Sequence, residues 1–223
     1  MYLQITTKCN MKCGHCCFSC EPNKGSHMTL KTFRKALKLC DEYVVLGGGE
    51  PTIHPYFEQI LCETIGSDNI SEKGVLVITN GKRTSKALLL AELANKQVIN
   101  AELSQDSWHE PVNKKVVSAF GKRIRNVDSS YLNRPVLAGR YLETVGLDNK
   151  DAQKEACVCD DYIIQPDGNI KQCGCINAPI IGNVINKNTV SYFGQTNGMC
   201  HRSSEFRKTL KELEGNYGQT RIC

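Results

Sequence analysis

The chain has 223 residues and a mass of 24.8 kDa, room for one catalytic domain with a small addition and for a core that needs no disulfide staples. Hydrophobic residues at 40% and charged residues at 23% exclude disorder, coiled coil and collagen; the densest apolar stretch, Ala87 to Ala94, is short and carries Glu92, which excludes a membrane span. Twenty-eight basic against 23 acidic residues leave a charge of +5, a mild excess that neither calls for a nucleic-acid partner nor rules one out. The amino terminus lacks the charged-then-apolar layout of a signal peptide, so a cytoplasmic protein is expected.

Tyr2 to Thr6 alternates and predicts a first strand, followed by a cysteine-rich loop from Lys8 to His27 that Gly14, Pro22 and Gly25 punctuate. Thr29 caps a helix whose apolar face holds Leu30, Phe33, Ala36, Leu37 and Cys40. Tyr43 to Leu46 is a buried-strand run stopped by Gly47-Gly48-Gly49, and Phe57, Ile60, Leu61 and Ile65 mark a second helix. Val75 to Ile78 gives the next strand, ended by Thr79-Asn80-Gly81. A third helix spans about Thr84 to Ala94, a fourth strand Val98 to Leu103, and Val112, Val116, Val117 and Phe120 place a fourth helix. Strands alternating with helices imply parallel βα units. The rhythm breaks after Ile124, where short strands are expected at 124–127 and 135–138. Pro166-Asp167-Gly168 signals a hairpin between 161–165 and 169–172, and Phe206, Leu210 and Leu213 mark a final helix. A composition shift near residue 145 divides the chain into 1–145 and a cysteine-rich 146–223.

Thirteen cysteines stand out, and an odd number in a chain without an export signal is a poor disulfide framework. They are grouped rather than scattered: Cys9, Cys13, Cys16, Cys17 and Cys20 early, then Cys157, Cys159, Cys173 and Cys175 late. Grouping points to metal. Cys9-x3-Cys13-x2-Cys16 suits a cubane, with three thiolates on three of its irons and the fourth iron open to a ligand. The alternative is zinc on Cys13-x2-Cys16 and Cys17-x2-Cys20, whose pairs abut without a spacer.

Cys9-Asn10-Met11-Lys12-Cys13-Gly14-His15-Cys16 resembles the CxxxCxxC signature of the radical S-adenosylmethionine (radical SAM) enzymes. Gly48-Gly49-Glu50-Pro51 resembles that family's GGEP motif, and Thr79-Asn80-Gly81 its TNG turn, each at the carboxyl end of a predicted strand. The resemblance implies an α/β fold, a partial (β/α) TIM-like barrel of parallel strands, carrying here a small C-terminal cysteine-rich appendage of hairpin and helix. It implies a [4Fe–4S] cluster on Cys9, Cys13 and Cys16, and S-adenosylmethionine held by Gly48, Gly49, Glu50, Pro51, Thr79 and Asn80, with Ser104 as a ribose contact. Glycines let backbone come close, and Glu50 offers a carboxylate to the cofactor's ammonium. The implied reaction is one-electron cleavage to a 5′-deoxyadenosyl radical that takes a hydrogen from substrate, with a flavodoxin or ferredoxin as reductant. Gln105, Asp106, Trp108, His109 and Glu110 follow on the same loop as pocket candidates, Asp106 serving equally well as a loop cap. Cys40 reads as core, and Lys122 to Arg125 as a solvated face.

Cys157, Gly168 and Cys173, with Ile181-Gly182-Asn183-Val184, resemble the auxiliary-cluster domains called SPASM, or Twitch in their shorter form. Cys157, Cys159, Cys173, Cys175 and Cys200 compete for at most four places, on a second iron–sulfur cluster or on structural zinc. Members with such appendages often modify peptides or proteins, which is the substrate class expected here. A nucleoside, tRNA or small-molecule modifier is the second expectation, and a non-catalytic iron–sulfur or zinc module the third. A mere carrier has no use for Glu50 in its glycine frame.

Overall fold

The computed structural model describes residues 1–14, 16, 18–125, 162–171 and 180–186. Four strand–helix units follow one another: β1 (Tyr2–Thr6), α1 (Leu30–Leu37), β2 (Glu42–Gly48), α2 (Phe57–Ile65), β3 (Ile70–Thr79), α3 (Thr84–Asn95), β4 (Asn100–Ser104) and α4 (Lys114–Phe120). A two-residue β5 (Ile124–Arg125) comes next, then β6 (Ile163–Ile164), β7 (Asn169–Lys171) and β8 (Ile180–Asn183). They form one sheet in the order β5-β4-β3-β2-β1-β6-β7-β8. Every pairing from β5 across to β6 is parallel, and β6–β7–β8 is antiparallel. The α/β class and the parallel strands expected from the sequence are therefore present.

Alternation places the core. Leu3 and Ile5, Val44 and Leu46, Val75 and Val77, and Ala101 and Leu103 are buried on one face. There they meet Phe33 and Ala36 of α1, Ile60 and Leu61 of α2, Leu90 and Ala91 of α3, and Val116 and Phe120 of α4. Successive residues point to opposite faces, so Gln4, Thr6 and Val45 face the other way, and Gln4 is nonetheless 2% exposed. Gln165, from the hairpin beside β1, donates to Gln4 Oε1 at 3.5 Å. Thr29 caps α1 by accepting from the Thr32 N–H at 3.1 Å, as the sequence suggests.

Several boundaries differ. α1 ends at Leu37, so Cys40, expected on its apolar face, is buried in the turn that follows, its N–H on the Leu37 carbonyl. β4 begins at Asn100, two residues after Val98, because Val98 N–H closes the turn after α3 on the Leu93 carbonyl. α4 begins after Asn113, whose side chain accepts from Lys115 N–H, so Val112 packs against the core from the preceding loop. β3 starts at Ile70, through a polar run that the apolar Val75–Ile78 segment does not announce. The hairpin forms where Pro166-Asp167-Gly168 signals it, with Gly168 at φ +85°. The expected strand at 135–138, the helix through Phe206, and residues 126–127 of the expected short strand lie outside the described residues. So do Cys157, Cys159, Cys173, Cys175 and Cys200.

Candidate active site

The three motifs meet at the carboxyl ends of β1, β2 and β3, where loops converge in a parallel sheet. The cysteine loop leaves β1 and is zipped shut at its root: Thr7 N–H donates to the Ser26 carbonyl at 2.9 Å and Met28 N–H to the Ile5 carbonyl at 2.8 Å. Within it Met11 is fully buried and pins the stretch between Cys9 and Cys13. Cys9, Cys13 and Cys16 are half-buried. Met11 N–H points at Cys9 Sγ (3.4 Å) and Cys20 N–H at Cys16 Sγ (3.3 Å), donors that favour a thiolate. Burial pushes the Cys9 thiol up, with Glu50 and Cys16 adding to it. Cys13 is pushed up to about 12, by burial first and then by Cys9, Cys16, Asp106 and Glu110. The three sulfurs thus feel one another and want a shared cation, since a coordinated thiol gives up its proton outright.

Three half-buried cysteines on one loop are the donor set a cubane takes; among the described residues no group of three ligating side chains is placed to hold a single metal ion. Cys20 is buried and gives its S–H to the Phe18 carbonyl at 3.7 Å, the behaviour of a core thiol. Cys40 does the same on the Ala36 carbonyl at 3.6 Å and is pushed up to about 11 by burial.

The glycine run brings the end of β2 onto this loop. Gly49 N–H bonds the Thr6 carbonyl (2.8 Å) and Glu50 N–H the Lys8 carbonyl (2.9 Å). A Cβ on Gly48 would stand 2.2 Å from the Thr6 oxygen, and one on Gly49 2.1 Å from the Lys8 oxygen. The glycines are thus required for β1 and the cysteine loop to approach, beyond any approach of a ligand. Pro51 and Thr52 open a short 3-10 turn and are buried.

Glu50 is 0% exposed. Its Oε1 accepts from Thr52 N–H (3.0 Å), Thr52 Oγ1 (2.5 Å) and Thr79 Oγ1 (2.8 Å), and its Oε2 from Asn80 N–H (2.7 Å). Burial pushes the carboxyl upward while these donors pull against it. The side chain expected to meet a ligand's ammonium is therefore enclosed among donors of its own chain. Asn80 carries the connection onward, its amide donating to Asn10 Oδ1 (2.8 Å) and towards Cys9 Sγ (3.7 Å). Lys82 gives its ammonium to the Asn10 carbonyl (2.8 Å) and to Glu110. Glu110, a pocket candidate from the sequence, is thus engaged by Lys82; Thr52 and Lys82 escape sequence reasoning, and their only signal is that they follow the GGEP and TNG motifs by one residue.

Ser104 ends β4, half-buried, and the next residue, Gln105, holds Oε1 buried and without a partner among the described residues. Asp106 turns the loop, taking the His109 Nδ1 (2.6 Å) and the Trp108 N–H (2.9 Å), which is its capping role. Trp108 is exposed.

The site is thus a three-cysteine loop over the strand ends of a parallel β/α sheet. Residues 3–130 match the model of the radical SAM superfamily, and the chain belongs to that superfamily. It is 31% identical over 127 residues to the antilisterial bacteriocin subtilosin biosynthesis protein AlbA of Bacillus subtilis (strain 168), covering 54% of this chain and 26% of AlbA. It is 30% identical over 135 residues to the mycofactocin maturase MftC of Mycobacterium ulcerans (strain Agy99), covering 56% of this chain and 34% of MftC. The match thus spans about a third or less of the length of these relatives. The fold resembles that of BtrN in complex with AdoMet and 2-DOIA, with a TM-score of 0.63 at 16% identity over 96% of this chain and 88% of BtrN. It also resembles anSMEcpe with bound AdoMet and the Cp18Cys peptide, with a TM-score of 0.51 at 14% identity over 88% of this chain and 80% of that one.

Proposed function

We propose that this radical SAM enzyme modifies a peptide or protein, holding a [4Fe–4S] cluster on Cys9, Cys13 and Cys16 and S-adenosylmethionine across the ends of β1 to β4. The observation that carries the reading is the convergence of the cysteine loop, the GGEP turn and the TNG turn, tied through Asn80 to both Cys9 and Glu50. The peptide class draws on the relatives, one named for bacteriocin biosynthesis and one as a maturase. When bound, the two groups supply a single electron and a carbon radical able to take a hydrogen atom from substrate. The chain's part is to hold and shield. Gly48 and Gly49 lay main chain beside the cysteine loop, Thr79 and Asn80 close the adjoining side, and the half-buried Ser104 offers an acceptor for a sugar. The two-part layout, 1–145 as catalytic core and 146–223 as metal-binding appendage, belongs to the same proposal, as does a flavodoxin or ferredoxin reductant. A reducing cytoplasm fits thiols that must stay reduced to bind iron; no helix among the described residues is long and apolar enough to cross a membrane.

The test is anaerobic. Reconstituted, reduced protein is expected to convert S-adenosylmethionine to 5′-deoxyadenosine, and Cys13→Ala to abolish it. Unimpaired cleavage by that variant would overturn the reading. A mass change in a short cysteine- or glycine-rich peptide encoded beside this chain, present only with the native protein, would identify the substrate class.

A further inference from the structure

We propose that Glu50 is the clip that fastens the three loops of the site to one another, and that its carboxylate does not touch the cofactor. This rests on the S-adenosylmethionine reading above. Each carboxylate oxygen offers about two acceptor positions; the chain brings four donors, which fill Oε1 and leave a position on Oε2 that burial closes to a ligand. Three crowd Oε1, from Thr52 and Thr79, and Asn80 N–H takes Oε2. With the residue 0% exposed, neither oxygen faces a surface where a ligand can sit.

The donors come from two places in the fold. Thr52 belongs to the turn after β2, whereas Thr79 and Asn80 end β3. Thr79 keeps its hydroxyl hydrogen for Glu50 because its oxygen already accepts the Gly81 N–H at 3.1 Å. Asn80 is then aimed: its backbone is held by Glu50 and its side chain reaches Asn10 and Cys9 Sγ. Two hydrogen bonds therefore lead from the carboxylate to a cluster sulfur. The peptide of Glu50 is itself anchored on the Lys8 carbonyl, next to Cys9. An amide in place of the carboxylate sets a donor against a backbone N–H whichever way it turns, that of Asn80 in one orientation and that of Thr52 in the other. Glu50 is thus a positioning residue.

Two variants test this. In the cluster-free protein without cofactor, Glu50→Gln is expected to lower the melting temperature by roughly 5 °C or more. An enclosed carboxylate kept for a ligand's ammonium would give the opposite result, since neutralising it then relieves a buried charge. In the reconstituted, reduced protein without S-adenosylmethionine, Glu50→Gln is expected to shift the g-values of the cluster, because Asn80 is re-aimed at Cys9. A merely structural role would leave them in place. Thr52→Val removes a donor that never meets the cofactor. It is expected to weaken S-adenosylmethionine binding by about 2- to 10-fold, with the g-values retained. Glu50→Gln melting at or above the native protein with unchanged g-values would overturn the proposal. If Glu50→Gln does not fold, Thr52→Val decides alone: native affinity in that variant would overturn it. A native reconstituted protein that fails to bind S-adenosylmethionine would sink the functional reading instead, while the melting comparison, which needs no cofactor, would stand.

Discussion

At the scale of single residues, two buried groups on the turns around β2 show what a sequence motif conceals. Glu50 is legible as part of a GGEP motif, but its partners are not, because Thr79 and Asn80 lie about thirty positions on and only the β2–β3 pairing brings them near. His54 carries no motif at all. Tyr56 N–H donates to its Nδ1 (3.1 Å), so Nε2 bears the proton and donates to the Met28 carbonyl (2.8 Å), tying the GGEP turn to the base of the cysteine loop. Burial holds its pKa below the ordinary histidine value, and the His27 ring, 4.9 Å away edge-on, is lowered by burial and by His54. Folding thus favours the neutral form of both, whereas in the unfolded chain each takes a proton near pH 6.5. The unfolded state therefore binds more protons just below that value, and stability falls as pH drops from about 7 towards 5. Thermal melts at the two pH values are expected to show the loss, and His54→Gln to show a smaller one. An equal loss in the variant would remove His54 from the account.

At the scale of elements, the helices and the first four strands follow from periodicity, and their ends from caps and glycines. What fails is informative. β8 (Ile180–Asn183) is too short to announce itself and exists because β7 offers it an edge. The glycines of the GGEP turn are legible as a turn, yet their reason is tertiary, a close approach of β2's end to the cysteine loop. Gly49→Ala would drive a Cβ to 2.1 Å from the Lys8 oxygen and 3.1 Å from Cys9 Cβ. The backbone must then shift, at a cost of about 1–3 kcal/mol. The urea midpoint of the cluster-free protein is expected to fall accordingly, and iron uptake on reconstitution to fall with it. An unchanged midpoint would mean that the two loops are not in register as described.

At the scale of the whole molecule, the hairpin of residues 163–171 continues the sheet beside β1, so part of the cysteine-rich region is built onto the core. Residues before and after that hairpin hold the second group of cysteines, and for them the proposal is an auxiliary iron–sulfur cluster, with zinc as its competitor. The Cys9/Cys13/Cys16→Ala triple variant separates the two. After anaerobic reconstitution it is expected to keep about four irons and a brown colour, which further Cys157→Ala and Cys173→Ala changes remove. A colourless triple variant holding one zinc would leave the core intact and take away the second cluster.

The sequence by itself determined the class of chain, the order of strands and helices, and the three motifs, because each is written in local spacing: period two, period 3.6, and cysteines with three and then two residues between them. It also placed those motifs at strand ends. The tertiary structure alone decided which atoms meet there. Parallel strands bring residues some thirty positions apart side by side, so the donors around Glu50, the Asn80 link to Cys9 and the Lys82 bridge to Asn10 and Glu110 exist only once β1, β2, β3 and β4 are paired. The joining of β6 to β1 is likewise a matter of register and edge, since no residue of Ile163–Ile164 names its neighbour. Hydrogen bonds across long separations depend on where the backbone goes, and spacing along the chain does not carry that information.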